Sequence, residues 1–344
     1  MAAAERRRRW LWPALVRTGL LALGLGLASC GGGDDDGGSD ADSSPPDPGY
    51  ARAIEAAQDV TAADFPAGRG RTLQEIANSV RQVQGGIATS EFTAGDNRLA
   101  FGVIGNDNKF IYGESAVYLA PTPGDRARGP FPAPADPLVV DPPFRSKGAA
   151  LESDAIAAVY EAHVPLPSPG RYAVLLVTKT PAGLVGAPAR IRVRRSTDIP
   201  EEGERPPQIE TETVASAGGD IESIETRVPP DDMHEVNFKD VIGKQPVALL
   251  FATPALCQTR VCGPVTDIAA QMQKEYGDEV AFIHQEVYED NMVQKGLREQ
   301  LRAFGLRTEP WLFTFDNEGR VAARLEGSFG NRAFEQAVEA ALRQ

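Results

Sequence analysis

The last third of the chain alternates strand-like and helix-like segments, and this order constrains the fold more than any other feature of the sequence. A continuous apolar run, "PVALLFAT" at 246–253, is typical of a strand buried on both faces. Further segments follow it in turn: helical patterns at 265–277, 293–305 and 331–343, and strand patterns at 280–288, 311–316 and 321–327. The order βαβαββα predicts an α/β domain over 233–344.

Two of the three cysteines lie in the turn between the first of these strands and its helix. The stretch "LLFATPALCQTRVCGPV" (249–265) contains Cys257 and Cys262, with four residues between them. A cysteine pair in such a turn carries out redox chemistry, binds a metal or forms a structural disulfide. The spacing alone leaves all three open.

Three stretches around this pair occur in a recognisable order. They are "VALLFATPALC", "CGPVTDIAAQMQKEY" and "FGLRTEPWLFTFDNEGRVAARLEG". They resemble, in turn, the strand before the active-site cysteine, the active-site helix, and the cis-proline with its hairpin in the thioredoxin family. The resemblance implies dithiol–disulfide exchange with protein thiols and an unidentified redox partner. In that reading Cys257 attacks, Cys262 resolves, and Pro310 stands at the cis-proline position and shapes the binding groove.

Such chemistry has physical requirements that this layout meets. A thiol with a pKa of about 8.5 is mostly protonated at neutral pH, and a helix N-terminus favours its thiolate. A fall of two pKa units corresponds to about 2.7 kcal/mol and makes the thiolate the major form. The second thiol then resolves the mixed disulfide. Cis peptide bonds occur almost only before proline, which suits Pro310 to its place.

The spacing departs from the two intervening residues that are usual in the family, so two registers are possible. Overlaying "CGPV" on the family's Cys-Gly-Pro-Cys makes Cys262 the nucleophile and places Val265 where the resolving cysteine belongs. The other register makes Cys257 the nucleophile and Pro264 the helix-kinking proline. We favour the second, because it places Cys257 in an exposed loop with Arg260 in the turn to stabilise a thiolate.

Three substitutions also distinguish the segment from the family pattern. Leu256 stands where a tryptophan normally precedes the first cysteine, and Leu250 replaces the buried acid of the preceding strand. Glu309, just before the cis-proline, is expected to bring a negative charge near the thiols and oppose thiolate formation.

The alternatives are a non-catalytic binding or scaffold protein with a structural disulfide, or a copper-handling chaperone. Closing a loop of about six residues contributes only about 2 kcal/mol in the loop-entropy treatment, which is little for a domain with a full core. Copper chaperones of a related group add a distant histidine to two thiolates, which suit Cu(I). Here His163, His234 and His284 all precede Pro310, and we expect His234 to be exposed. We therefore predict neither a metal site nor a cofactor.

The N-terminus predicts export and a lipid anchor. Arg6–Arg9 precede a short apolar stretch at 18–28, and Leu27-Ala28-Ser29-Cys30 resembles a bacterial lipobox. We expect residues 1–29 to be a signal peptide and Cys30 to carry lipid. The Gly-, Asp- and Ser-rich segment 30–50 would then tether the protein to the extracytoplasmic face of the cell membrane.

The middle of the chain predicts a second domain. Residues 51–95 read as a helical lead-in, with Gly85 and Gly86 ending its second helix, and 96–196 as an antiparallel β-sandwich that resembles Ig-like modules. The stretch 121–148 is too rich in proline for a strand pair. Residues 197–232 are acidic and proline-rich, which predicts a linker. The expected fold is thus multidomain, a sandwich followed by an α/β thioredoxin-like domain.

The charge of the chain bears on its partners. The formal net charge is −13. A surface of this sign repels phosphate backbones, so we predict no nucleic-acid partner.

Overall fold

The computed structural model of the protein describes residues 48–147, 149, 156–257 and 260–343. The predicted signal peptide, Cys30 and nearly all of the predicted tether lie outside these residues. No helix within the described ranges has both the length and the apolar character that a membrane crossing requires.

Two β-sheets make up the N-terminal half. Their strands are β1 (Arg81–Gln82), β2 (Gln84–Ile87), β3 (Phe92–Thr93), β4 (Gly95–Ile104), β5 (Ser115–Ala120), β6 (Arg128–Pro132), β7 (Ala135–Pro137), β8 (Ala158–Leu166), β9 (Gly170–Thr180) and β10 (Gly183–Arg194). One sheet has the order β1-β10-β9-β5-β6, with β3 also pairing with β10, and the other has the order β2-β4-β8-β7. Phe101 and Tyr160 of the second sheet share one apolar core with Val174 and Leu176 of the first. The two sheets therefore form a β-sandwich.

The sandwich differs from the sequence prediction in its first strands. β1 and β3 pair in parallel with β10, so the domain is not wholly antiparallel. The helices of the lead-in are short, α1 (Pro48–Ala56) and α2 (Leu73–Ala77), and the strands begin well before residue 96. Gly85 and Gly86 lie within β2 rather than at a helix end. A Cβ on Gly85 would lie 2.7 Å from the Cβ of Ala187, so glycine permits this close approach of the two sheets.

The proline-rich stretch 121–148 contains β6 and β7, which do not pair with each other. β6 pairs with β5 and β7 pairs with β8, and each is the last strand of its sheet. Proline is compatible with an edge strand because the missing N–H is not needed by a further neighbour. Position within the sheet, which composition does not reveal, accounts for the strands in this stretch.

The C-terminal part contains a third sheet with helices on both faces. Its elements are α3 (Phe238–Val241), β11 (Val247–Phe251), α4 (Cys262–Tyr276), β12 (Ala281–Gln285), α5 (Glu299–Ala303), β13 (Trp311–Phe315), β14 (Val321–Glu326) and α6 (Asn331–Leu342). The sheet order is β12-β11-β13-β14, with β11 parallel to β12 and antiparallel to β13. From β11 onward the order is the predicted βαβαββα, and this topology is thioredoxin-like.

Alternate residues of β11 face the two helical layers. Leu250 packs in the cluster that contains Ile268 of α4 and Phe334 of α6. Leu249 packs on the opposite side, in the cluster that contains Phe238 of α3 and Leu301 of α5. Burial on both faces explains why the strand reads as an unbroken apolar run.

Residues 197–232 pack onto this domain, which corrects their reading as a solvated linker. Ile199 and Ile209 are buried in the cluster around β11 and β13. Glu225 and Arg227 are also buried, and Arg227 pairs with Asp267 of α4 at 3.0 Å. The segment has few apolar side chains, but the ones it has are placed where the domain can cover them.

The sandwich and the thioredoxin-like domain share buried contacts. Asp136 of β7 is fully buried and accepts hydrogen bonds from the backbone N–H groups of Gly330, Arg332 and Ala333, at 3.0, 2.9 and 3.0 Å. It thereby supplies acceptors for the N-terminus of α6, which has no side-chain cap from its own N-cap residue Gly330. Three apolar residues from the N-terminal half also belong to the apolar cluster around α4 and α6: Leu138, Val140 and Val159.

Candidate redox site

A disulfide joins Cys257 and Cys262 at the carboxyl end of β11. Their Cα atoms are 6.0 Å apart. Cys262 is the first residue of α4 and is fully buried, whereas Cys257 lies in the preceding loop and is only partly buried. The turn thus leaves Cys257 partly exposed and buries Cys262.

The loop that leads to Cys257 is held by the segment predicted to be a linker. The Thr226 hydroxyl accepts a hydrogen bond from the backbone N–H of Ala255 at 3.2 Å and donates one to Glu286 Oε1 at 2.7 Å. The backbone N–H of Thr226 also donates to Glu286 Oε1, at 2.8 Å. Glu286 is buried at the end of β12, so the loop is connected to the sheet interior.

Glu309 lies against the buried sulfur. Its Oε2 atom is 3.6 Å from Cys262 Sγ, and its Oε1 atom accepts a hydrogen bond from the Tyr288 hydroxyl at 3.3 Å. Burial raises the pKa of Glu309 to about 7; the Tyr288 hydrogen bond opposes this increase, and the nearby charge of Glu286 adds to it. The Glu309–Pro310 peptide bond is cis. A carboxyl group whose pKa burial raises therefore lies beside the buried Cys262 sulfur.

Three other residues named in the sequence analysis lie around the disulfide in β11, in the turn and in α4. Leu250 is buried among apolar side chains, so no acid occupies that position of β11. Arg260 has a positive φ of 59° and an exposed side chain, and its backbone N–H donates to Cys257 O at 3.4 Å. Pro264 lies in the first turn of α4. The acid that contacts the Cys262 sulfur is thus Glu309, which comes from the segment before β13 and not from β11.

A second cluster of titratable groups lies behind the loop. His234, which we expected to be exposed, is fully buried, and its Nε2 atom lies 3.0 Å from Glu225 Oε2. His284 Nδ1 lies 2.9 Å from Asp231 Oδ2 and 3.2 Å from Glu225 Oε2. Burial lowers the pKa of His284, but the carboxylates of Glu225 and Asp231 outweigh it and raise that pKa well above its ordinary value.

Sequence reasoning missed this cluster because three of its members lie in or beside the presumed linker. The spacing of Asp231 and His234, with Glu225 shortly before them, was the available signal. His284 lies in a strand pattern, and its Nε2 bonds a backbone oxygen, that of Ala252, at 3.1 Å. Its other ring nitrogen, however, faces the carboxylates.

Two groups of side chains bring potential metal ligands together in the described part of the chain. One is the second cluster, and the other consists of Cys257, Cys262 and Glu309; within each group the ligand atoms lie within 4.8 Å of one another. The cysteine group contains none of the three histidines. The pair of thiolates with a histidine that a copper chaperone of the expected kind uses is therefore not assembled.

Comparison with known proteins gives limited matches. No family model and no curated protein matches the sequence. Among solved structures, a putative thiol:disulfide interchange protein DsbE from Chlorobium tepidum is 18% identical over 42% of this chain and 99% of its own, with a TM-score of 0.30. A thioredoxin family thiol:disulfide interchange protein from Chlorobium tepidum TLS is 17% identical over 41% of this chain and 98% of its own, with a TM-score of 0.29. DsbF from MTB is 18% identical over 39% of this chain and 95% of its own, with a TM-score of 0.27.

The fold assignment rests on the chain's own geometry. β11 and β12 are parallel, β13 and β14 form an antiparallel hairpin after a cis-proline, and the disulfide lies where β11 leads into α4. These features together make the C-terminal part of the protein a thioredoxin-like domain.

Proposed function

We propose that the protein is a thiol–disulfide oxidoreductase that acts on protein thiols and disulfides, with Cys257 as the attacking residue and Cys262 as the resolving one. The observation that carries this proposal is the unequal burial of the two disulfide-bonded cysteines: Cys257 is partly buried, and Cys262 is fully buried beside Glu309. An exchange enzyme needs one accessible sulfur to meet a client and a second within bonding distance.

The exchange is balanced as follows in the reductive direction. The Cys257 thiolate attacks a client disulfide, forms a mixed disulfide and releases one client thiolate, which takes up a proton. Cys262 then gives its proton to Glu309 and attacks the Cys257 sulfur, which releases the second client sulfur. Two electrons pass to the client and the Cys257–Cys262 disulfide forms. The reverse sequence oxidises a client dithiol.

Glu309 is suited to the proton transfer in this scheme. It lies 3.6 Å from the sulfur that must lose a proton, and burial raises its pKa to about 7. A base is most effective when its pKa lies near the operating pH. We had expected Glu309 only to oppose thiolate formation; in this proposal it accepts the proton that ionising Cys262 releases.

The proposal extends to the location of the protein. Residues 1–29 direct export, Cys30 carries the lipid, and the exchange takes place on the extracytoplasmic face of the membrane, where disulfides persist. The support is the basic, apolar and lipobox-like order of the leader. The sandwich, which we propose to be Ig-like, holds the thioredoxin-like domain. Mass spectrometry of the mature N-terminal peptide tests the lipid at Cys30.

The test of exchange is trapping combined with a redox titration. A Cys262→Ser variant should accumulate mixed disulfides through Cys257, whereas Cys257→Ser should accumulate far fewer, because Cys262 is buried. A variant lacking both residues controls for Cys30. The reduction potential of the pair in the wild-type protein should lie above about −300 mV. A lower potential, with no client trapped by either variant, would identify a structural disulfide in a scaffold protein.

A further inference from the structure

The exchange chemistry leaves the second buried cluster without a role. We propose that this cluster binds one divalent metal ion, with Zn²⁺ as the ion that its donors fit, through four side chains: Glu225, Asp231, His234 and His284. The site is separate from the cysteines and does not depend on the proposed redox activity.

The contacts between donor groups are close to the separations that a four-coordinate site requires, and all four donors lie within 4.8 Å of one another. Glu225 Oε2 lies 3.0 Å from His234 Nε2 and 3.2 Å from His284 Nδ1. Asp231 lies 2.9 Å from His284 Nδ1 through Oδ2 and 3.8 Å from His234 Nε2 through Oδ1. Tetrahedral Zn²⁺ with bonds of about 2.0–2.1 Å places neighbouring donors about 3.3 Å apart. The observed separations fall on both sides of that value.

Hydrogen bonding selects the nitrogen of His284 that faces the ion. Its Nε2 lies 3.1 Å from the carbonyl oxygen of Ala252, which can only accept, so Nε2 carries the proton. Nδ1 is then the atom that would offer a lone pair to an ion once its own proton has left. A ligating histidine whose other nitrogen donates to a backbone carbonyl is the usual arrangement at metal sites.

The charges of the cluster are compatible with a bound cation. The four side chains are at most 1% exposed, and two of them are carboxylates. Among the described residues, no lysine or arginine side chain forms an ion pair with Glu225 or Asp231; the adjacent Arg227 pairs with Asp267 instead. A divalent ion that displaces the Nδ1 proton of His284 would balance both carboxylates, and carboxylate and imidazole are donors that Zn²⁺ accepts.

The position of the cluster indicates what a bound ion would do. His284 contacts Ala252 at the start of the loop to Cys257, and Glu225 is followed by Thr226, which bonds Ala255 of the same loop. Four protein donors complete a tetrahedral shell, which is the form of a structural site. The ion would fasten residues 225–234 to the end of β11 and to β12.

Metal loading of the full-length protein tests the proposal. The protein is stripped with a chelator, the cysteines are kept oxidised, and Zn²⁺ is titrated against a chromogenic competitor. We expect one Zn²⁺ per chain, and at least tenfold weaker binding in Asp231→Asn and His234→Gln. His163→Gln is the matched control, because His163 is the remaining histidine and its side chain is 72% exposed; it should bind as the wild type does.

X-ray absorption of the Zn²⁺-loaded wild-type protein keeps the test decisive if a variant fails to fold. The expected spectrum has nitrogen and oxygen neighbours at about 2.0–2.1 Å and no sulfur at about 2.3 Å. A sulfur shell would place the ion on the cysteines and overturn the proposal. So would the absence of Zn²⁺ binding by the oxidised wild type, or unchanged affinity in both folded variants.

Discussion

The Sγ atom of Cys262 lies 3.6 Å from Oε2 of Glu309, which brings a carboxyl group from the segment before β13 to the buried sulfur at the start of α4. The acid that thioredoxins carry in the strand before the cysteines is replaced here by Leu250. Glu309, which directly precedes the cis-proline, therefore lies where it can exchange a proton with the Cys262 thiol.

Replacement of this carboxyl group should slow the resolving step. In Glu309→Gln we expect release of a client from the mixed disulfide to fall about 10²-fold, since general-base assistance contributes at least this much in many enzymes. Single-turnover release of a labelled client peptide measures the rate. Glu318→Gln is the control, because that glutamate is 75% exposed on the hairpin after β13. Equal rates in the two variants would remove Glu309 from the mechanism.

The resolving step should depend on pH through Glu309. Only its carboxylate accepts a proton, and burial raises the pKa of Glu309 to about 7, so the rate should rise with pH through about 7 and be lost below it. The same client-release assay, repeated from pH 5 to pH 9, gives the profile. Glu309→Gln should lack the inflection near 7 and keep only that of the thiols. An inflection retained in the variant would assign it to another group.

The same substitution should stabilise the oxidised protein at alkaline pH. Because the folded-state pKa of Glu309 is raised from 4.5 to about 7, the folded state binds the proton more tightly than the unfolded state. The ionised Glu309 carboxylate therefore lowers the free energy of unfolding progressively as pH rises from about 4.5 to 7, and the full loss is reached above that range. We expect Glu309→Gln to raise Tm more at pH 8 than at pH 4.5 in thermal unfolding. Glu318→Gln should shift Tm equally at both pH values, and a similar result for Glu309→Gln would contradict the prediction.

The contact between the two domains should contribute measurably to stability. Asp136→Ala leaves three backbone N–H groups at the start of α6 without their acceptor, and we expect a loss of about 2 kcal/mol in the free energy of unfolding. Urea unfolding followed by far-ultraviolet circular dichroism measures it. Asp278→Ala, at an exposed position after α4, should change stability by less than about 0.5 kcal/mol. Indistinguishable midpoints would show that the bonds to Asp136 are replaced by water.

Features that depend on local pattern could be predicted from the sequence. The apolar run of β11, the cysteine-containing turn and the cis-proline at Pro310 each leave a signal within a few residues of themselves. The lengths of the helices in the lead-in were harder to predict, because residues after Ala77 form strands that pair with β10 and β4. There, pairing with distant strands overrides the local helical spacing.

The contacts that build the site could not be predicted, because they join distant parts of the chain. Glu225 and Asp231 belong to a segment whose acidic, proline-rich composition is typical of a linker, and nothing local shows that it wraps over the domain. His234 was judged from that neighbourhood and is buried with them. Glu309 could be placed near the cysteines by its neighbour Pro310, but its contact with Cys262 in particular required the packing of β13 against β11.

Asp136 of the sandwich accepts hydrogen bonds at the N-terminus of α6, which belongs to the thioredoxin-like domain. This contact limits how the two domains can be separated or recombined. A chimera that carried the thioredoxin-like domain into another protein without β7 would leave the N–H groups in the first turn of α6 without their acceptor. It would also remove Leu138 from its apolar neighbours in the cluster around α4 and α6. A substitution on one side of the contact between the two domains therefore limits which residues are tolerated on the other side.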